Sequence, residues 1–376
     1  MTRTFSPRDF SIALALLGIC GFFAVVEPKF LDSRNLSLLM TELSITATLA
    51  MGMLLVILPG HIDLSVGSGL ALLSGIATVL TTKAGLPAPL SLVIGLTTGL
   101  LIWWGKGWLI VKERIPAFIV TLAGLLVFRG LFWLVIQNQT VPVVPGGQSN
   151  LYSLISTFYL PPLAGYALIA VIIGTLVFTT LKTRSQHLAH GFEAESGEST
   201  FLRVFIAAQA LVLFVVVTNQ FRGIPLPAVI FGVVATGVYL LTQHTVFGRY
   251  LYAIGGNPEA ALVSGVPVGR VVIGAFALMG GIVAITGFML TSYTGNSTTD
   301  IGEWMELDAV AACVIGGVSL RGGRGTVLGV LAGALIMATL LNGMTLMSVS
   351  PEYKLVVRGS VLLLAVWMDV RLSRQS

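Results

Sequence analysis

Three ionisable side chains interrupt otherwise apolar stretches of this sequence, and they are its first candidates for chemistry. Asp63 lies in PGHIDLSVGSG, Arg129 in TLAGLLVFRGLFWLV, and Asp308 opens a thin apolar block together with Glu306. A charge at bilayer depth is costly unless it faces protein or water. We therefore predict that Asp63, Ser65, Arg129 and Asp308 line a solute pathway. The alternatives are that Asp63 and Asp308 cap helices near an interface and that Arg129 pairs with a carboxylate.

A second candidate site is the polar segment GGNPEAALVSG at 255–265, between two long apolar stretches. Its residues predict a short helix with both ends marked. Asn257 can cap the helix, Pro258 suits its first position, Glu259 complements its dipole, and Gly265 can close it in a left-handed turn. A helix of this kind outside the bilayer is expected to act as a lever against a soluble partner. The predicted coupling residues are Asn257, Pro258, Glu259, Ala260, Ala261 and Gly265.

Signals for enzyme chemistry or for a metal site are weak in this sequence. None of the four histidines belongs to HExxH or another recognisable metal pattern, and no GxxxxGK[ST] phosphate-binding loop occurs. Cys20 and Cys313 are too few for a disulfide framework or a cysteine-based metal site. We therefore expect no catalytic residues, no metal and no bound cofactor, so that any ATP used must be bound by another chain.

The composition indicates that transmembrane helices position these candidate residues. Hydrophobic residues make up 55% of the 376-residue chain, charged residues only 10%, and mean hydropathy is +0.94, values typical of a polytopic membrane protein. The basic residues lie in short loops between apolar blocks, which argues against nucleic-acid binding. We predict an all-α fold of about 10–12 transmembrane or re-entrant helices in one domain over residues 1–376. The apolar blocks lie near 11–26, 45–59, 65–82, 89–104, 117–136, 163–181, 204–219, 227–243, 271–292, 306–319, 326–344 and 353–369.

The loops predict the organisation of the chain across the bilayer. Two helices are expected to be broken, one at 59–64 and one near 306–325, since interrupted segments in two halves are a pointer to a transporter pathway. Most basic residues, among them Lys106, fall in loops on one side, which places both termini in the cytoplasm. The polar stretch 182–203 is interpreted as a mobile cytoplasmic linker between two halves, and 244–270 as the cytoplasmic coupling loop.

Four stretches together resemble the permease subunits of bacterial ABC importers for monosaccharides, the ribose, galactose and xylose type. They are IDLSVGS, FIVTLAGLLVFRG, FGRYLYAIGGNPEAALVSGV and AACVIGGVSLRGGRGTVLGVLAGALIMATLLNGM, and the last two look closest to xylose-type permeases. The resemblance implies a permease of the bacterial inner membrane, in a dimer that is expected to be a homodimer. It also implies two ATPase subunits and a periplasmic sugar-binding protein as partners. The helix at 257–264 would match the family's coupling helix, although Leu262 stands where the family often has Arg.

One other class of transporter fits the same residues. A cation-gradient-driven secondary sugar carrier would need no ATPase, and it could use Asp63, Glu306 or Asp308 as ion sites. A membrane-embedded enzyme is a weaker alternative, because no nucleophile is paired with a base. The direction of transport follows from the resemblance alone.

Overall fold

The computed structural model describes residues 7–191 and 196–373, and this part of the chain is predominantly helical. Two small antiparallel pairs of strands join distant loops: β1 (Val141–Pro142) pairs with β4 (Asn296–Ser297), and β2 (Tyr159–Leu160) pairs with β3 (Ile224–Pro225). The α-helices are α1 (Pro7–Val26), α2 (Ser33–Ile57), α3 (Val66–Thr82), α4 (Ala88–Lys112), α5 (Ala117–Ile136), α6 (Leu151–Thr157), α7 (Pro162–Ala189), α8 (Gly197–Asn219), α9 (Leu226–His244), α10 (Val246–Gly256), α11 (Pro258–Val263), α12 (Val268–Thr294), α13 (Met305–Ile315), α14 (Val327–Leu346) and α15 (Pro351–Ser373).

Eight helices of the described chain are long and apolar enough to cross a membrane: α2, α4, α5, α7, α8, α9, α12 and α14. Two further apolar segments in the described chain are shorter, Ile12–Val26 in α1 and Val66–Thr82 in α3. The predicted all-α polytopic fold is therefore confirmed. Most side chains of α2 and α12 are buried, whereas α7 and α8 expose apolar side chains to the surroundings. Exposed apolar helix faces of this kind suit lipid contact.

A helix break occurs at the first place where the sequence predicts one, and the second predicted region, 306–325, contains the short helix α13 and the glycine-rich turn that follows it. Between α2 and α3, residues 58–65 leave the helical path, and Gly60 adopts a φ of +89°. Before α13, the chain runs irregularly from 295 to 304, and α13 itself has 11 residues. A helix of that length spans about 16 Å, roughly half of a bilayer's hydrocarbon core. The two breaks meet, because a side-chain carbon added to Gly302 would overlap the carbonyl oxygen of Gly67 in the first turn of α3.

Glycines allow the central helices to approach each other closely. A side-chain carbon on Gly99 in α4 would overlap the carbonyl oxygen of Gly280 in α12. Gly329 and Gly333 in α14 are similarly close to the backbone of α13, at Gly316 and Ala312. Residues larger than glycine would separate these helices, as expected where helices pack in lipid. Glycine therefore permits the close packing of the pairs α4–α12 and α13–α14.

The structure differs from the sequence prediction in three segments that were expected to be loops. Lys106 was expected in a loop, and this was wrong, because it lies on the buried side of α4. In the predicted linker 182–203, residues up to Ala189 continue α7 and residues from Gly197 begin α8, while 192–195 lie outside the described residues. The predicted coupling loop contains two helices rather than one, since α10 precedes α11. Much of each segment is therefore regular helix.

Candidate functional site

The short helix α11 has the local structure that its sequence predicts. The Asn257 side chain accepts a hydrogen bond from the backbone N–H of Ala260 at 3.0 Å, and Pro258 occupies the first helical position. Glu259 lies in the first turn, where a carboxylate is favourable near the positive end of the helix dipole. Gly265 follows the helix with a φ of +82°, a conformation that favours glycine. The cap, the proline and the glycine together define both ends of α11.

One face of α11 is packed against the protein and the other is exposed. Ala261 is buried, whereas Leu262 and Val263 expose 64% and 89% of their surface. The polar residues Asn257 and Glu259 are exposed as well. A six-residue helix cannot be stable by itself in water, so α11 depends on its caps and its buried face. Its outer surface is apolar with a charged edge, which suits contact with another protein.

The preceding helix, α10, connects α11 to both broken segments. A side-chain carbon on Gly255 would overlap the carbonyl oxygen of Leu58 at the end of α2 and the backbone nitrogen of Gly323. Gly323 donates its N–H to the carbonyl of Leu58 at 2.9 Å, and the hydroxyl of Tyr252 in α10 donates to the carbonyl of Gly325 at 2.9 Å. The backbone of α10 therefore lies directly on the chain segments that lead into α3 and out of α13.

Asp63 and Ser65 lie in a fully buried polar cluster at the first break. Lys106 Nζ in α4 lies 2.7 Å from Asp63 Oδ2 and also donates to Ser65 Oγ, while Trp103 Nε1 donates to Asp63 Oδ2 at 2.7 Å. The backbone N–H of Ser65 donates to Asp63 Oδ1 at 2.9 Å. The ammonium lies 4.3 Å from the centre of the Trp103 ring, a cation–π distance. This cluster holds the irregular segment against α4.

The predicted capping roles of the two aspartates were wrong. The N-cap of α3 is Ser65 rather than Asp63, and the N-cap of α13 is Trp304 rather than Asp308. Asp308 is buried in the first turn of α13, where its Oδ1 lies 3.2 Å from Nε of Arg358 in α15. Each aspartate therefore belongs to an ion pair with a residue of another helix, which offsets part of the cost of burying its carboxylate.

Arg129 pairs with a carboxylate, in agreement with one of the two alternatives. Its Nη2 lies 3.3 Å from Glu303 Oε1, and its Nη1 donates to the carbonyl of Thr299 at 3.3 Å. Trp133, one turn further along α5, donates its Nε1 to the same carbonyl at 3.2 Å. These contacts attach α5 to the irregular segment before α13. The guanidinium also lines a cavity of about 100 Å³, shared with Ser68 and other residues of 302–306.

The four predicted pathway residues do not form one site. Asp63 and Ser65 share the cluster with Lys106, Asp308 lies with Arg358, and Arg129 borders the separate cavity. Sequence reasoning missed Lys106 as a partner, together with Glu303, Trp304 and Arg358. The signal that was available for Lys106 is its position within the otherwise apolar run LLIWWGKGWLIV, where a lone lysine requires an anion. In the described chain, no group of three or more His, Cys, Asp or Glu side chains is arranged to hold a metal ion.

Comparison with known proteins places this architecture in a family. Residues 35–366 match the family model described as "Branched-chain amino acid transport system / permease component". The chain is 38% identical over 375 residues to the xylose transport system permease protein XylH of Escherichia coli K12, covering 100% of this chain and 94% of that protein. It is 38% identical to XylH of Haemophilus influenzae over 98% of this chain and 97% of that protein. The ribose import permease protein RbsC of Bacillus subtilis is 35% identical, over 95% of this chain and 91% of that protein. No solved structure matches.

Proposed function

The chain belongs to this family of transport-system permease components and is a multi-pass permease subunit of an ABC importer, and from that premise we propose that it carries a monosaccharide, xylose or a similar sugar. The sugar is inferred from the similarity to permeases whose names specify xylose and, at lower identity, ribose. The role is transport rather than catalysis.

One observation supports the proposed mode of action more than any other. The capped helix α11 exposes Leu262 and Val263 outward, and through α10 it lies against both broken membrane segments. We propose that α11 inserts into a groove of an ATPase subunit on the cytoplasmic side. Asn257, Pro258, Glu259, Ala260, Ala261 and Gly265 define the shape and charge of the inserted element. ATP is bound and hydrolysed by that subunit.

The packing of α10 suggests how closure of the ATPase acts on the pathway. Movement of α11 shifts Gly255, and with it Leu58 and the glycine-rich turn at Gly323. These residues end α2 and follow α13, so both broken helices are displaced together. We propose that these helices adopt two arrangements and that ATP shifts the equilibrium between them. Such a two-state equilibrium is sufficient for alternating access. Arg129 remains our candidate for the pathway, while Asp63, Ser65 and Asp308 hold the broken segments in place.

A groove at the other end of α2 suits the proposed sugar-binding protein. It has a volume of about 410 Å³ and contains Arg34, Tyr159, Phe221 and Arg222. The 25 residues of α2 separate it from α10 by about 36 Å, more than the roughly 30 Å of a bilayer's hydrocarbon core. If α11 is cytoplasmic, the groove is periplasmic, and both termini lie in the cytoplasm. Its two guanidinium groups would bind carboxylates on a periplasmic partner.

The second membrane subunit is proposed to be another copy of this chain. Each copy contributes a single α11, so two copies would engage two ATPase subunits symmetrically. Closed symmetric dimers are the commonest assemblies of identical chains.

The competing hypothesis, a cation-gradient-driven carrier, predicts a different energy source. Two of its candidate ion sites are already neutralised in this structure, Asp63 by Lys106 and Asp308 by Arg358. We expect xylose uptake by cells that contain the whole transporter to persist when proton and sodium gradients are collapsed and ATP is maintained. Uptake that stops under those conditions, and persists when ATP is depleted but gradients remain, would instead establish a secondary carrier.

Two adjacent glycines provide a matched test of transmission through α10. Gly255→Ala adds a methyl group that would overlap backbone atoms of Leu58 and Gly323, whereas nothing lies within 4 Å of the same atom at Gly256. We expect Gly255→Ala to reduce sugar uptake per ATP hydrolysed by about tenfold, because the added methyl group displaces a close backbone contact. Gly256→Ala is expected to have little effect. The measurement is uptake and ATP hydrolysis in proteoliposomes. Equal sugar uptake per ATP hydrolysed in both variants would contradict the proposal that movement of α11 is transmitted through this contact.

A further inference from the structure

The cavity beside Arg129 is lined by several polar side chains, and not all of them belong to the ion pairs that stabilise the fold. It lies between α3, α5 and the segment before α13, and its polar lining comes from Ser68, Arg129, Glu303, Trp304 and Glu306. Its volume of about 100 Å³ is below the roughly 300 Å³ at the lower end of small-molecule pockets. It is therefore large enough for one edge of a small solute and too small to enclose it.

Glu306 is the least explained of these residues. It is 8% exposed and lines the cavity, with its carboxylate lying against Gly67 in the first turn of α3. Arg129, which lines the same cavity, is paired with Glu303 rather than with Glu306. The positive end of α3 favours a negative charge here. A carboxylate with so little exposed surface is costly unless a ligand or water supplies hydrogen-bond donors.

Trp304 is held in an unfavourable backbone conformation at the same cavity. Its φ is +64°, in the left-handed region that bulky residues rarely adopt, and it occupies the N-cap of α13 without a side-chain cap. Asn or Gly would fit this backbone better and Asn would also cap the helix. The indole nevertheless remains 42% exposed beside Glu306. Strain of this kind is typically retained at functional positions.

We propose that Trp304 and Glu306 form a contact site for the sugar during its passage, a role that rests on the proposed function. The Glu306 carboxylate accepts hydrogen bonds from sugar hydroxyls, and the indole packs on the apolar C–H face of the ring. Arg129 and Glu303 offer a further donor and acceptor and cancel each other's charge. Because Arg129 is already paired with Glu303, no uncompensated positive charge remains in the site, which therefore suits a neutral polyhydroxylated solute rather than an anion. Partial enclosure suits transport, in which binding must stay weak enough for release.

The test uses the complete transporter, reconstituted with its ATPase and sugar-binding protein in proteoliposomes. Uptake of labelled xylose and ATP hydrolysis are measured together for Trp304→Ala and Glu306→Gln. Trp108→Ala is the matched control, because Trp108 in α4 is 43% exposed and lies outside the cavity. We expect uptake per ATP hydrolysed to fall about tenfold in both site variants, as for loss of one good contact, and to remain unchanged in the control.

A second variant separates the contact role from a structural one. Trp304→Asn keeps a residue that tolerates positive φ and caps a helix, so we expect the thermal stability of the purified complex to be maintained or raised while uptake per ATP falls. If the indole only packs, Trp304→Asn would lower the melting temperature and leave uptake per ATP of the surviving complex unchanged. Unchanged uptake per ATP in Trp304→Asn and Glu306→Gln would overturn the proposal. Failure of the unsubstituted transporter to use ATP for sugar uptake would instead overturn the proposed function.

Discussion

Replacing Lys106 by Met is expected to lower the free energy of unfolding by about 3–5 kcal/mol, since it leaves the buried Asp63 carboxylate without its cation. The same reasoning applies to Asp63→Asn, which leaves the ammonium uncompensated. The double variant Asp63→Asn with Lys106→Met removes both charges, while the asparagine oxygen still accepts from Trp103. We therefore expect the double variant to regain at least half of the stability lost by either single one. Melting temperatures of the detergent-solubilised protein measure these differences.

Lys112→Met is the matched control, because Lys112 lies on the same helix with its side chain exposed. It is expected to change stability by less than about 0.5 kcal/mol. Losses that simply add in the double variant would show that Asp63 and Lys106 stabilise the fold independently. That outcome would remove the ion pair as the element holding the first break against α4.

The second substitution with a large expected effect lies on the exposed surface of α11. Introducing charge with Leu262→Asp and Val263→Asp together should abolish association with the ATPase and reduce ATP-driven sugar uptake by at least about a hundredfold, as for two charges buried at an interface. Folding should be unaffected, because both side chains are largely exposed in the free permease. Copurification from mild detergent and uptake in proteoliposomes provide the two measurements.

An exposed leucine on a different helix provides the control. Leu188, near the end of α7, is 59% exposed, close to the value for Leu262. Leu188→Asp is expected to retain the ATPase and normal uptake. If the double variant of α11 also retains the ATPase, then this helix is not the docking element, and the apolar residues on its surface need another explanation.

The sequence was most informative where local rules dominate. Asn257, Pro258 and Gly265 define the ends of α11 through the chemistry of caps and turns, which depends on adjacent residues alone. The first helix break follows from Pro59 and Gly60 in the same way, and the end of α13 follows from the glycines after it. The all-α membrane fold required only composition and the lengths of the apolar blocks.

The candidate sites depended on contacts between residues distant in the chain, and these were less accessible. Asp63 and Lys106 are 43 residues apart, and Arg129 and Glu303 are 174 apart, so no periodicity within one helix relates them. The sequence showed that Asp63 and Arg129 need partners, since each interrupts an apolar region, but it did not identify those partners. The positive φ of Trp304 results from how the segment before α13 packs and has no local sequence signal.

A site-specific crosslink would show whether α11 contacts the ATPase. A photoreactive amino acid in place of Val263, in membranes containing the complete transporter, is expected to form a covalent product with the ATPase subunit on illumination. The yield of this crosslinked product should differ between the ATP-bound and the nucleotide-free transporter, because closure of the ATPase is proposed to move α11. The same group at Leu188 should give no such product. A crosslink from Val263 to lipid or to the periplasmic binding protein, with none to the ATPase, would contradict both the coupling role and the orientation assigned to the chain.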